Sequence, residues 1–191
     1  LGQRGGDLLD LTESNFVQHI DGVEYVELKQ QKTGKIARIP IVGALQEINT
    51  IRNNGLPYKI SVQKFDQYIK QVCKLAGINE LIEHSKVCMV DDKGYIIEQD
   101  DNGSYTSKGV KRTVKGVFEK WQLIGSHTCR RSFATNLYGK LETIFIMKMT
   151  GHTKESTFLA YIGKTEMDYL TQTANKLQEL EQVNKPMLAN Y

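Results

Sequence analysis

The sequence predicts an α+β fold, mainly helical, with small antiparallel β-sheets or hairpins. Three observations predict it. From Thr128 onward, apolar residues recur at helical spacing in stretches punctuated by Gly139, Gly151 and Gly163. Earlier in the chain, β-branched and aromatic runs flank Gly-containing turns. Hydrophobic residues make up 40% and charged residues 25% of 191 residues, the balance of an ordinary globular chain with room for a core.

Leu8, Leu9 and Leu11 read as a short helix, with Thr12 to Asn15 as its exit. Val23, Tyr25, Val26 and Leu28, the turn Lys32-Thr33-Gly34-Lys35, and then Ile36, Ile39, Ile41 and Val42 read as a hairpin with a basic tip. Pro40 has no N–H to donate, which places its strand at a sheet edge. Residues 43–53 read as a helix, with Leu45, Ile48 and Ile51 on one side. Ser61 caps a helix over residues 62–76, with Phe65, Ile69, Val72, Cys73 and Ala76 at helical spacing and Gly77 as its stop. Residues 84–113 carry β-like runs around DDKG and DDNG and read as a second hairpin or small sheet. Neither acidic turn places its Gly and distal Glu as a calcium loop does. Helices are then expected over residues 128–138, 141–149, 154–160 and 165–183.

Composition excludes several classes. No run approaches the ~18–20 apolar residues of a membrane span. The start, LGQRGGDLLDL, has no secretory pattern, and it opens on Leu1, so a fragment or processed chain is expected. Cys73, Cys88 and Cys129 are an odd count without close spacing, which favours a reducing cytoplasm over a disulfide framework. Neither CxxC nor HExxH occurs. The formal net charge is only +3, but it is unevenly placed. Residues 106–131 hold Lys108, Lys111, Arg112, Lys115, Lys120, Arg130 and Arg131 against Glu119 alone, whereas residues 165–191 hold four acids and two lysines. A basic middle and an acidic tail suggest a polyanion on one face and a different partner for the tail.

Four short stretches carry the chemistry. In SHTCRRSFAT, His127 and Arg130 stand i, i+3 on a helix and share a face, and Ser126 can cap that helix so that its N–H groups favour a phosphate. His152 lies in TGHT, and Tyr161 follows nine residues later in TFLAYIG. Arg4 lies in GQRGGDLL, with Asp7 one turn on. Lys32 tips the first hairpin. Taken singly each is ordinary: a solvated His and Arg pair, a core tyrosine, a surface Arg–Asp pair, an exposed turn lysine.

In this order and spacing, over about 160 residues, the stretches resemble the tyrosine recombinases of the phage-integrase type. The pattern is Arg in a G-x-R-x-x-[DE]-L setting, Lys in a K-T-G hairpin, H-x-x-R, G-H, and a Tyr nine residues beyond that His. The likeness is greatest to integrases of Bacteroides-type mobile elements. Two departures stand out. The helix before the first Arg and the N-terminal DNA-binding domain of the family lie outside this sequence. In the common H-x-L-R-H form, Cys129 replaces the Leu, a packing position that tolerates it, and Arg131 replaces the second His.

The resemblance implies a catalytic domain over residues 1–164 and a C-terminal helix over 165–191 that exchanges with a neighbouring subunit. It implies a site-specific recombinase or integrase that cuts and rejoins double-stranded DNA through a 3′-phosphotyrosine, without cofactor, metal or ATP. The implied catalytic set is Arg4, Lys32, His127, Arg130, His152 and Tyr161, with Lys35 the rival of Lys32 as general acid. Tyr161 is the nucleophile, two arginines neutralise the phosphate, and the histidines donate to the phosphate or handle the tyrosine proton. No carboxylate cluster lies near these motifs in the sequence, which fits a metal-free reaction. The expected partners are DNA, three further copies in a tetramer, and accessory DNA-bending or directionality proteins, with no membrane, in a bacterial cytoplasm at the nucleoid. Two other readings stand beside it: a type IB topoisomerase-like strand transferase, and a catalytically silent DNA-binding module.

Overall fold

The computed structural model describes residues 1–19, 21–100 and 104–188. They form two compact units, one of residues 1–3, 10–57 and 130–191, the other of residues 4–9 and 58–129.

The first unit contains an antiparallel sheet of β1 (Phe16–Gln18), β2 (Glu24–Lys29) and β3 (Ile36–Pro40), with β2 central. Side chains alternate across a strand, so Val26 and Leu28 of β2 and Ala37 and Ile39 of β3 point to one face. The register sets Val26 opposite Ile39 and Leu28 opposite Ala37. These four residues are buried with Ile41 and Met149, and Phe133 and Leu137 pack against them. Burying each large aliphatic side chain stabilises by about 1.5–3 kcal/mol. β3 is an edge strand ending on Pro40, as the missing N–H requires. β1 is an element the sequence pattern does not give, because three residues are too short for an alternation to register.

Residues 43–53 divide into a 3-10 turn, Gly43–Gln46, and α2 (Glu47–Asn53). Beyond residue 130 the unit holds the rest of α5 (Ser126–Leu137), then α6 (Thr143–Thr150), α7 (Glu155–Ile162) and α8 (Glu166–Leu188). Ala134, Ile146, Met147, Phe158 and Ile162 form their buried cluster. All four helices stand within a few residues of their predicted bounds. Gly151 and Gly163 end α6 and α7 in the left-handed conformation that glycine adopts without a steric penalty.

The second unit holds α1 (Gly5–Leu9), α3 (Val62–Leu75), β4 (Leu81–Val90), β5 (Val110–Glu119), α4 (Lys120–Leu123) and the start of α5. α1 stops at Leu9, so Leu11 lies outside the helix assigned to it from sequence. The Ser61 side chain accepts from Lys64 N–H at 3.2 Å and caps α3 as expected. Val72 and Ala76 are exposed, however, and the buried side of α3 runs through the half-buried Phe65, Ile69 and Cys73.

The hairpin is longer than residues 84–113. β4 pairs with β5 over ten residues, from Leu81 opposite Glu119 to Val90 opposite Val110. The run at residues 95–99 makes only single bridges, Val90 to Ile96 and Gln99 to Tyr105. Lysines and Gly116 conceal β5 in the sequence; its inward residues are Val114 and Phe118, which pack with Cys88 and Val90. DDKG is a turn, with Asp91 Oδ1 accepting from the N–H groups of Lys93 and Tyr95. Most of DDNG lies outside the described residues. No helix among the described residues is long and apolar enough to cross a membrane.

Candidate active site

Tyr161 sits near the end of α7, which Phe158 and Ile162 anchor in the buried helical cluster. Tyr161 itself is half-buried. α6 stops at Thr150 because Gly151 turns left-handed at φ 72°, and the N–H groups of Gly151 and His152 both go to the carbonyl of Met147. That turn delivers the His152 ring to α7. Its centroid lies 5.4 Å from Phe158, edge-on, and 5.1 Å from Tyr161.

The neighbouring hydroxyl fixes the His152 tautomer. Thr150 Oγ1 is 2.7 Å from the carbonyl oxygen of Ile146 and 2.8 Å from His152 Nδ1. A hydroxyl has one proton, and the carbonyl can only accept. The Thr150 proton therefore goes to Ile146, and His152 Nδ1–H donates to Thr150. In the neutral ring this makes Nε2 the basic nitrogen.

Arg130 is 3% exposed, a charged group placed by main-chain acceptors. Nη1 donates to the Gly2 carbonyl at 2.9 Å, and Nη2 donates to the Thr150 carbonyl. Two bonds from one planar fork hold the plane as well as the position. Gly2 makes this approach feasible: at φ 63°, a Cβ there would stand 2.2 Å from Phe133 Cδ1. The Thr150 carbonyl also receives Gln30 Nε2 at 3.3 Å. Gln30 is fully buried directly after β2. Lys32 lies two residues on, exposed in the turn, and Lys35 is exposed where the second strand approaches.

Lys32, Arg130, His152 and Tyr161 thus belong to the first unit, and Arg130, His152 and Tyr161 are joined there through Thr150 and ring contact. Arg4 and His127 belong to the second unit. Arg4 directly precedes α1, and its guanidinium lies 3.8 Å from the buried Asp7 carboxylate. Gly5 packs on the start of α5, where a Cβ would come within 3.1 Å of Ser126. His127 is exposed in the first turn of that helix. Ser126 is not the cap expected from sequence. It is the first helical residue, and its N–H is taken by Asp66 Oδ1 at 2.7 Å. A carboxylate from α3 therefore occupies one of the helix-terminal donors assigned to phosphate from sequence. Among the described residues, no three His, Cys, Asp or Glu side chains group as metal ligands.

The fold of the chain recurs in solved structures. The site-specific recombinase XerH, in a pre-cleavage complex with its difH substrate, aligns with 91% of this chain and 42% of its own, at TM-score 0.53 and 15% identity. The XerA recombinase aligns with 92% of this chain and 52% of its own, at TM-score 0.52 and 14% identity. The chain has the fold of these recombinases. It spans about half or less of their length. No protein-family model matches it, and no curated protein sequence is similar to it.

Within the recombinase fold, Gln30 lies outside the quoted motifs, while Gly2 and Thr150 stand inside them with no role assigned from sequence. Gln30 left a signal. Val26, Leu28 and Gln30 continue one inward alternation, so a polar residue falls in phase with the core at the point where the strand turns. Burial chiefly pushes the Tyr138 phenol from 10.0 up to about 12.

Proposed function

We propose that this chain is the catalytic part of a site-specific DNA recombinase, cutting and rejoining strands through a 3′-phosphotyrosine. The observation that carries the reading is the join of Arg130, His152 and Tyr161 through Thr150, within the fold of XerH and XerA. That XerH was captured on a substrate before cleavage supports DNA cleavage as the step to test here.

The Tyr161 oxygen attacks the scissile phosphorus and passes its proton to His152 Nε2. The bond from phosphorus to the 5′ oxygen breaks, and Lys32 protonates that oxygen as it leaves. Arg130 neutralises the non-bridging oxygens, and the resemblance assigns Arg4 and His127 to the same phosphate. Attack by a 5′-hydroxyl of another strand reverses the step, so the energy of the broken bond is kept and no ATP is needed. The arginines supply the positive charge that metal ions supply in other phosphoryl transfers. The Bacteroides-type mobile element, the integrase activity and the accessory proteins remain part of the proposal.

The tail belongs to the same proposal. α8 turns Asp168, Tyr169 and Gln172 toward its own unit, while Met167, Leu170, Ala174, Leu177 and Leu180 are exposed. An apolar stripe facing water supports docking on a neighbouring subunit and assembly of a tetramer on DNA.

The test is an adduct assay with nicked duplexes of randomised sequence, in EDTA and without ATP. A protein–DNA adduct stable to detergent is expected. Cleavage that requires magnesium, or that leaves no adduct, contradicts the reading.

A further inference from the structure

Gln30 joins the Lys32 turn to the Thr150–His152 turn through one side chain. Its Oε1 accepts from Thr33 Oγ1 at 2.9 Å, and its Nε2 donates to the Thr150 carbonyl at 3.3 Å and to Gln3 Oε1 at 3.2 Å. The carbonyl can only accept, which orients the amide and leaves Oε1 for the hydroxyl. The Gln30 main chain closes the same turn, its N–H donating to the Lys35 carbonyl at 2.7 Å and its carbonyl accepting from Gly34 N–H at 2.8 Å. Gln3 in turn donates to the carbonyls of Met149 at 2.8 Å and Leu1 at 3.0 Å. Gly151 is shaped to this amide: a Cβ there would stand 2.2 Å from Gln30 Oε1.

The Thr150 carbonyl that Gln30 reaches is also an anchor of Arg130. A lysine at an exposed turn has four freely rotating methylenes and no fixed position of its own. A buried amide bonded to both its turn and the arginine's anchor gives the backbone beneath that lysine a fixed relation to the phosphate clamp.

We propose that Gln30 is a positioning residue for proton transfer: it holds the Lys32 turn in register with Arg130 and His152, so that the ammonium meets the leaving oxygen. The proposal rests on the reading of Lys32 as general acid. General acids contribute ~10²–10⁴-fold. Cleavage by Gln30→Leu is therefore expected to fall on the order of 10² on ordinary DNA, with DNA affinity unchanged.

The experiment measures single-turnover adduct formation on a duplex selected from the randomised pool, made with either oxygen or sulfur at the 5′-bridging position. Sulfur leaves without a general acid. Gln30→Leu and Thr33→Val are compared with wild type and Lys32→Ala, and affinity is read by gel shift. Thr33→Val breaks the tip bond from the exposed side and leaves the buried amide in place, so it decides the matter if Gln30→Leu does not fold. Slow cleavage on oxygen and near wild-type cleavage on sulfur, for Thr33→Val and for any folded Gln30→Leu, supports the proposal. Equal loss on both substrates, or no loss on oxygen, overturns it while Lys32→Ala is itself rescued by sulfur. Failure of sulfur to rescue Lys32→Ala overturns the general-acid reading and this proposal with it.

Discussion

The ring of His152 lies 5.1 Å from the ring of Tyr161, and its Nδ1 is tied to the Thr150 hydroxyl at 2.8 Å. Because that hydroxyl spends its proton on Ile146, the pair presents a basic imidazole nitrogen beside a phenol. Thr150→Val removes the acceptor that selects this tautomer. Adduct formation is expected to fall on the order of 10², with Thr150→Ser restoring most of it. Equal rates in single-turnover cleavage by Thr150→Val and wild type would remove the hydroxyl from the account.

Arg130 tests the phosphate clamp. Arg130→Lys loses the fork that bridges the Gly2 and Thr150 carbonyls. Cleavage is expected to drop by ~10²–10³, the cost of losing a charge-assisted donor aimed at the transition state. Unfolding by urea should register a loss of about 1–3 kcal/mol from the abandoned carbonyls. A fully active Arg130→Lys would contradict the clamp.

Tyr138 makes stability depend on alkaline pH. Its folded pKa of about 12 exceeds the ordinary 10.0, with burial the leading cause, the neighbouring Tyr169 the next, and the acids Glu155 and Asp168 adding to it. Below pH 10.0 both states hold the proton and the full contribution is present. As pH rises further, the unfolded chain binds fewer protons than the folded one, so stability falls until the folded group titrates. The stability difference between wild type and Tyr138→Phe should shrink over that range in urea titrations. A constant difference would show that the phenol does not sense its burial.

Most of the helical half was legible because Gly139, Gly151 and Gly163 punctuate long periodic stretches. β5 was not, because Lys111, Arg112 and Lys115 hide its inward alternation, and β1 was too short to show one. The motif residues could be named from spacing, but their supports could not. Gly2 matters through Phe133, Gln30 through Thr150, and Ser126 through Asp66, pairs that stand 131, 120 and 60 positions apart in the chain. Local pattern carries no such information. It also misassigned the cap of α5: Ser126 is already the first helical residue, and its N–H goes to a carboxylate from α3.

The exposed stripe of α8 predicts a defect confined to assembly. Leu170, Leu177 and Leu180 are each more than half exposed, so changing them to Gln leaves the core intact. Adduct formation on a single duplex should persist, while complexes holding two duplexes are lost in native gels. Recombination at the wild-type rate in this triple variant would contradict subunit exchange through the helix.

The central claim is that Tyr161 becomes covalently joined to DNA. The measurement is mass spectrometry of the adduct after nuclease and protease digestion, with Tyr161→Phe alongside. The account predicts a nucleotide on the Tyr161 peptide, and a Phe variant that binds DNA but forms no adduct. A nucleotide on Tyr138 or Tyr169, or an adduct that survives in Tyr161→Phe, would contradict it.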